Sequence, residues 1–115
     1  MKNSQLYKGS LTTIIMKLLE GNGRMYGYEI TQKVKLLTKG ELNITEGALY
    51  PALHKLEADG LLDVEVERVD NRLRKYYKLT ESGEKETINR LTELEEFIKN
   101  MQNLVNPTSK PDLQF

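Results

Sequence analysis

The sequence predicts a mainly α fold with a small antiparallel β-hairpin: a winged helix-turn-helix followed by one long C-terminal helix. Three observations predict it. Apolar residues recur at helical spacing in three segments before Gly60, two runs of alternating polar and apolar residues flank Asp70-Asn71, and a stripe at steps of three and four runs from Leu91 to Val105. The expected organisation is a winged helix-turn-helix over 5–79, a dimerisation helix over 80–105 and a disordered tail over 106–115.

The first helix is marked by Leu11, Ile14, Ile15, Leu18 and Leu19, and Gly21 and Gly23 end it. Its apolar positions are periodic and broken by Lys17, unlike the continuous run of a signal peptide or membrane span, so the chain reads as cytoplasmic with no membrane contact. The second helix carries Ile30, Val34 and Leu37 through YGYEITQKVKLL and closes at Lys39-Gly40. Glu41-Leu42-Asn43-Ile44 then alternates polar and apolar residues, which predicts a short edge strand. Thr45 supplies an N-cap hydroxyl for the third helix.

In the third helix Leu49, Ala52, Leu53 and Leu56 fall on one side, the core side, and Gly47, Tyr50, Pro51, His54 and Lys55 on the other. That outer side is poor in charge and resembles a surface built to lie against something. Pro51 has no N–H for the carbonyl of Gly47 and should distort the first turn. A start at Pro51, as the first residue of the helix, satisfies the same residues.

After Asp59-Gly60, the residues Leu62, Val64 and Val66 alternate with Asp63, Glu65 and Glu67 as in a half-buried strand. Asp70-Asn71 turns the chain, and in the return strand Leu73, Lys75, Tyr77 and Leu79 share one parity while Arg74, Tyr76 and Lys78 take the other. Arg68, Arg72, Arg74 and Lys75 therefore gather at or near the hairpin tip, where long cationic side chains reach phosphates or a minor groove. A charged edge hairpin that resists aggregation has the same composition.

The formal net charge of the 115 residues is zero, but it is distributed in blocks. Seven Lys/Arg stand against two Glu from Met1 to Lys39, and five against one Asp from Arg68 to Lys78. Acidic residues concentrate from Glu41 to Glu67 and along the last helix, which predicts one basic and one acidic face. With no cysteine and one histidine, His54, the chain excludes disulfides and the usual zinc sets, and no cofactor is expected. It also lacks a nucleophile–base pair or a phosphate-cradling loop, so it does not read as an enzyme.

Thr80 caps the last helix, with Glu81 and Glu84 in its first turn. Leu91, Leu94, Ile98, Met101 and Val105 form a heptad seam that Ile88 and Phe97 broaden, the pattern of a helix that pairs with a second copy.

MYGYEI at Met25 to Ile30, EGALYPALHKLEADGLL at Glu46 to Leu62 and RKYYKLTESG at Arg74 to Gly83 occur in this order, and over residues 5 to 105 the chain resembles a PadR-family winged-helix transcriptional regulator of the short type. The resemblance implies a homodimer that sets two recognition helices in successive major grooves of a pseudo-palindromic promoter site, with repression usually relieved by a ligand. It places Tyr50, His54 and Lys55 on the DNA face of the recognition helix and Arg72 and Arg74 on the wing. Relatives that sense flat aromatic compounds can carry tryptophan on the C-terminal helix; this chain has none and offers Leu91 and Leu94. The recognition face lacks Arg, Asn and Gln, so contacts should go mainly to phosphates and sequence preference should lean on DNA shape. A winged helix used purely for protein contacts is the other function this fold would serve.

Overall fold

A computed structural model describes residues 4–107. The elements in order are α1 (Ser4–Lys8), α2 (Leu11–Asn22), β1 (Arg24–Tyr26), α3 (Gly27–Leu37), α4 (Glu46–Ala58), β2 (Leu62–Val69), β3 (Arg72–Leu79) and α5 (Glu81–Val105). The architecture is the expected winged helix-turn-helix with a long final helix. Of the expected tail, only Asn106 and Pro107 fall within the described residues.

The core forms where the apolar stripes of α2, α3 and α4 converge on one face of the sheet. Ile15, Met16, Leu19, Ile30, Leu49, Leu53, Leu56 and Tyr77 are all but inaccessible to solvent. Leu49, Leu53 and Leu56 are spaced as one face of α4, and Thr45 caps its start by accepting from the Ala48 N–H at 3.3 Å. The helix therefore begins at Glu46 and not at Pro51, which sits within it. Pro51 and Gly47 are both exposed, so the residue whose carbonyl loses its helical partner to the proline lies on the outer side of the helix rather than in the core.

The hairpin turns through Asp70 and Asn71, with φ of 50° and 65°, the two left-handed residues of a type I′ turn. Val69 pairs with Arg72 beside the turn, and the register runs unbroken to Leu62 opposite Leu79. Strand order is β1-β3-β2, all antiparallel, with Arg24, Met25 and Tyr26 opposite Lys78, Tyr77 and Tyr76.

That third strand corrects the expectation placed on Glu41–Ile44, which forms no strand. The backbone N–H of Leu42 donates to Thr38 Oγ1 at 3.0 Å, and Leu42 itself plugs the core beside the end of α3. The alternation there reflects one buried leucine in a loop, while the open edge of β3 is taken by the segment that leads into α3.

Two glycines mark where elements approach too closely for any side chain. A Cβ on Gly27, the first residue of α3, would run into the Tyr50 hydroxyl from α4. One on Gly83, in the first turn of α5, would run into the carbonyl oxygen of Leu61. At that second joint Thr80 Oγ1 accepts from the Gly83 N–H at 2.9 Å and donates to the Gly60 carbonyl at 2.8 Å, while the Thr80 N–H donates to the Leu61 carbonyl at 3.0 Å. The base of α5 is thereby locked to the turn between α4 and β2. No helix among the described residues is long and apolar enough to cross a membrane.

Candidate nucleic-acid interface

On α4 the outward residues are Gly47, Tyr50, Pro51, His54 and Lys55, all exposed, as expected. Tyr50 is 36% exposed and divides its ring between solvent and the fold: its hydroxyl covers Gly27, and its ring centroid lies 6.4 Å from that of His54. It also lies near Tyr77, whose phenol is pushed above its ordinary value mainly by burial, with smaller contributions from Tyr50 and Glu57. Lys55 reaches Asp59 one turn later at 3.5 Å, an exposed pair that competes weakly for its charge.

The hairpin has two faces, and its register sorts the cations between them. Arg68 and Lys75 share the face of Leu62 and Tyr77, the one on which the helices pack, whereas Arg72 and Arg74 lie on the opposite face. Arg68, Arg72 and Lys75 are exposed and enter no ion pair among the described residues.

Arg74 is placed differently. Its guanidinium lies 4.0 Å from the ring centroid of Tyr26 and its Nη1 donates to the Tyr76 hydroxyl at 3.4 Å. Arg24 mirrors it, 4.0 Å over the Tyr76 ring, and reaches across the central strand to Glu65 at 2.9 Å and Glu67 at 2.8 Å. Tyr26 and Tyr76 meet edge to face at 5.5 Å between centroids. Lys78 completes the cluster, 2.7 Å from the Glu65 carboxylate. Hydrogen bonds from Lys78 first and Arg24 second hold the Glu65 carboxyl below its ordinary value, and the bonds from Glu67 and Glu65 raise that of the Arg24 guanidinium.

This cluster corrects the charge-block expectation. Basic and acidic runs that are separate along the chain interleave on one sheet face, so Arg24 and Lys78 are neutralised across strands. What remains without an ion-pair partner among the described residues is the set of cations toward the hairpin tip, Arg68 and Lys75 on one face and Arg72 on the other. The signal in the sequence was the interleaving of cations and aromatics in RMYGY and RKYYK, but pairing them required the register.

The proposed seam divides as well. Leu91, Leu94 and Ile98, with Phe97, line an apolar groove of about 440 Å³ closed on its other side by Leu6, Ile14 and Leu37. Met101 and Val105 lie beyond it, where α5 leaves the body of the protein, and Leu104 and Val105 are 74% and 77% exposed. No cluster of His, Cys, Asp or Glu among the described residues could hold a metal ion.

Known proteins share this fold. A transcriptional regulator from Clostridium thermocellum has a similar structure, with a TM-score of 0.76 at 29% identity, covering 92% of this chain and 99% of that one. A PadR-like transcription factor from Bacteroides fragilis is 38% identical with a TM-score of 0.66, covering 92% and 96%. A transcriptional regulator of Mycobacterium tuberculosis is 40% identical over 62 residues, which are 54% of this chain and 55% of that protein. Residues 15–89, from the core of α2 through the hairpin into α5, match the family described as transcriptional regulator PadR-like. The chain therefore belongs to the PadR-like family of transcriptional regulators.

Proposed function

We propose that the protein is a dimeric, sequence-specific DNA-binding repressor that acts on pseudo-palindromic promoter sites in the cytoplasm and performs no catalysis. The observation that carries this reading is the combination, in one fold, of an exposed helix face poor in charge and a hairpin tip bearing Arg68, Arg72 and Lys75 without ion-pair partners among the described residues. The helix can enter a major groove without repulsion while the tip meets phosphates. Tyr50, His54 and Lys55 present the donors, and Gly47 with Pro51 leaves a backbone carbonyl as an acceptor in the same face.

A second copy supplies the rest. Two α5 helices would cover each other's Ile98, Met101, Leu104 and Val105, and Leu91 and Leu94 with the groove they line would form the interface or receive a small apolar effector whose binding relieves repression. Fluorescence anisotropy against the DNA upstream of the protein's own gene tests the reading. If a dimer neutralises about six phosphates, affinity should fall on the order of a thousandfold between 50 and 200 mM salt. Binding that competitor DNA abolishes even at low salt would leave a winged helix that contacts proteins.

A further inference from the structure

The face of the sheet turned away from the core is built as a clasp. Arg24 projects from β1, the edge strand, crosses Tyr76 on the central strand at 4.0 Å and ends on Glu65 and Glu67 of β2. One side chain thus ties all three strands. Arg74 runs a parallel diagonal two residues further along, from β3 back to Tyr26 on β1, whose own backbone N–H donates to Glu29 Oε1 at 3.0 Å at the start of α3. Tyr26 is the residue immediately before Gly27, on which Tyr50 of α4 rests. A continuous set of contacts therefore runs from the hairpin through Tyr26 and the start of α3 to the exposed face of α4.

We infer that Arg24 and Arg74 are positioning residues: with Tyr26 and Tyr76 they set the pitch of the hairpin against α4, so that Arg68, Arg72 and Lys75 meet phosphates while the helix occupies the groove. The inference rests on the DNA-binding reading above and assigns Arg74 a different task from the other cations of the hairpin. Both arginines stack on rings in a way that lysine reproduces poorly, because the planar guanidinium covers an aromatic face and donates in its own plane at once. A phosphate contact, in contrast, needs only the charge.

That difference makes the test. A duplex enriched from a random-sequence pool by the wild-type protein is titrated over a salt series with Arg74→Lys, Arg74→Ala, Tyr26→Leu and Arg72→Ala, and amide hydrogen exchange is followed in the DNA-free proteins. Arg74→Lys and Tyr26→Leu, neither of which removes a charge, should each weaken binding about tenfold, and the double variant should lose little more than either alone. The salt slope should stay at its wild-type value for Arg74→Ala and fall by about two for Arg72→Ala, one phosphate contact from each protomer of the dimer. Exchange should quicken on the order of tenfold at Val66 to Leu73 in both clasp variants and stay unchanged at Ile15 and Leu19.

Wild-type affinity in Arg74→Lys together with a slope lowered by about two in Arg74→Ala would make Arg74 a phosphate contact and overturn the inference. Unchanged hairpin exchange in both clasp variants would do the same. If the wild-type protein enriched no duplex, the DNA-binding reading would fall and the positioning role with it, a failure separate from that of the clasp, which the exchange measurement reads alone.

Discussion

The hairpin and α5 both leave the core, and they leave it in opposite states. At its base the hairpin is stitched by the Arg24 and Arg74 stacks and their carboxylate partners, and toward its tip it offers charge that water solvates well. The last two turns of α5 offer Met101, Leu104 and Val105 to solvent with nothing among the described residues to cover them. A projection whose outer end is mainly charged, although Val66 and Leu73 are also exposed there, suits a polyanion that arrives and departs, whereas one that exposes a row of large apolar side chains suits a lasting partner. On the proposed reading, the two ends of the fold serve a transient and a lasting contact respectively.

Substitutions at the two ends should therefore differ in kind. The largest effect is expected from Ile98→Glu, which sets a charge in the seam without disturbing the protomer, because Ile98 is already 47% exposed there. Sedimentation equilibrium should show the dimer weakened on the order of a hundredfold or more, with the helical circular dichroism retained. A dimer of undiminished strength would place the interface elsewhere.

Next comes the joint between the two regions. Gly83→Ala drives a methyl group into the Leu61 carbonyl, a backbone atom that cannot step aside, and should cost about 1–3 kcal/mol in urea unfolding. Gly27→Ala meets side chains alone, the outer end of the Tyr50 ring and more loosely Leu49, and should cost less stability, while displacing Tyr50 and weakening DNA binding more than Gly83→Ala does for each unit of stability lost.

At the hairpin, Lys75→Ala should lower the salt slope of DNA binding by about two, one contact from each protomer, and leave the melting temperature nearly unchanged. The smallest effect belongs to pH. The folded Glu65 carboxyl titrates below its ordinary value, so its contribution to the hairpin is complete above about pH 4.3 and is lost as pH falls through the folded value. Ring proton shifts of Tyr26 and Tyr76 should hold steady from pH 7 to about 5 and move only in more acid solution, and Glu65→Gln should remove that step. A step of undiminished size in Glu65→Gln would assign it to another carboxylate.

Wherever one periodicity runs long enough, the sequence was a sufficient guide. The leucines of α4, the Asp70-Asn71 turn and the Thr80 cap are each where local physical chemistry requires them. What escaped were features set by register or by very short segments. Three residues, Arg24 to Tyr26, cannot display an alternation, whereas Glu41 to Ile44 displays one without a strand to pair with, and the five-residue α1 is too short for a helical stripe. The separation of Arg74 from Arg68 and Lys75 follows from strand parity, which the sequence did provide. Its engagement with Tyr26 depends on the pairing of β1 with β3, which it did not. The motifs MYGYEI and EGALYP are legible as a pair only once Gly27 is seen under Tyr50, so that part of their pattern serves packing rather than contact with DNA.

The lock at Thr80 and Gly83 also fixes a scale of motion. With 25 residues, α5 is about 37 Å long. Locked at its base to the turn after α4 and tied to α2 where Arg90 Nη1 donates to Thr12 Oγ1 at 3.0 Å, it moves with the body as a rigid arm, and a rotation of the whole protomer by about 5° carries its far end roughly 3 Å. In a dimer joined near those far ends the same geometry works in reverse, so a small rearrangement between two arms would alter the separation of two α4 helices by a comparable distance. Against half-sites held about 34 Å apart by the pitch of the double helix, a few ångströms separates a matched spacing from a mismatched one.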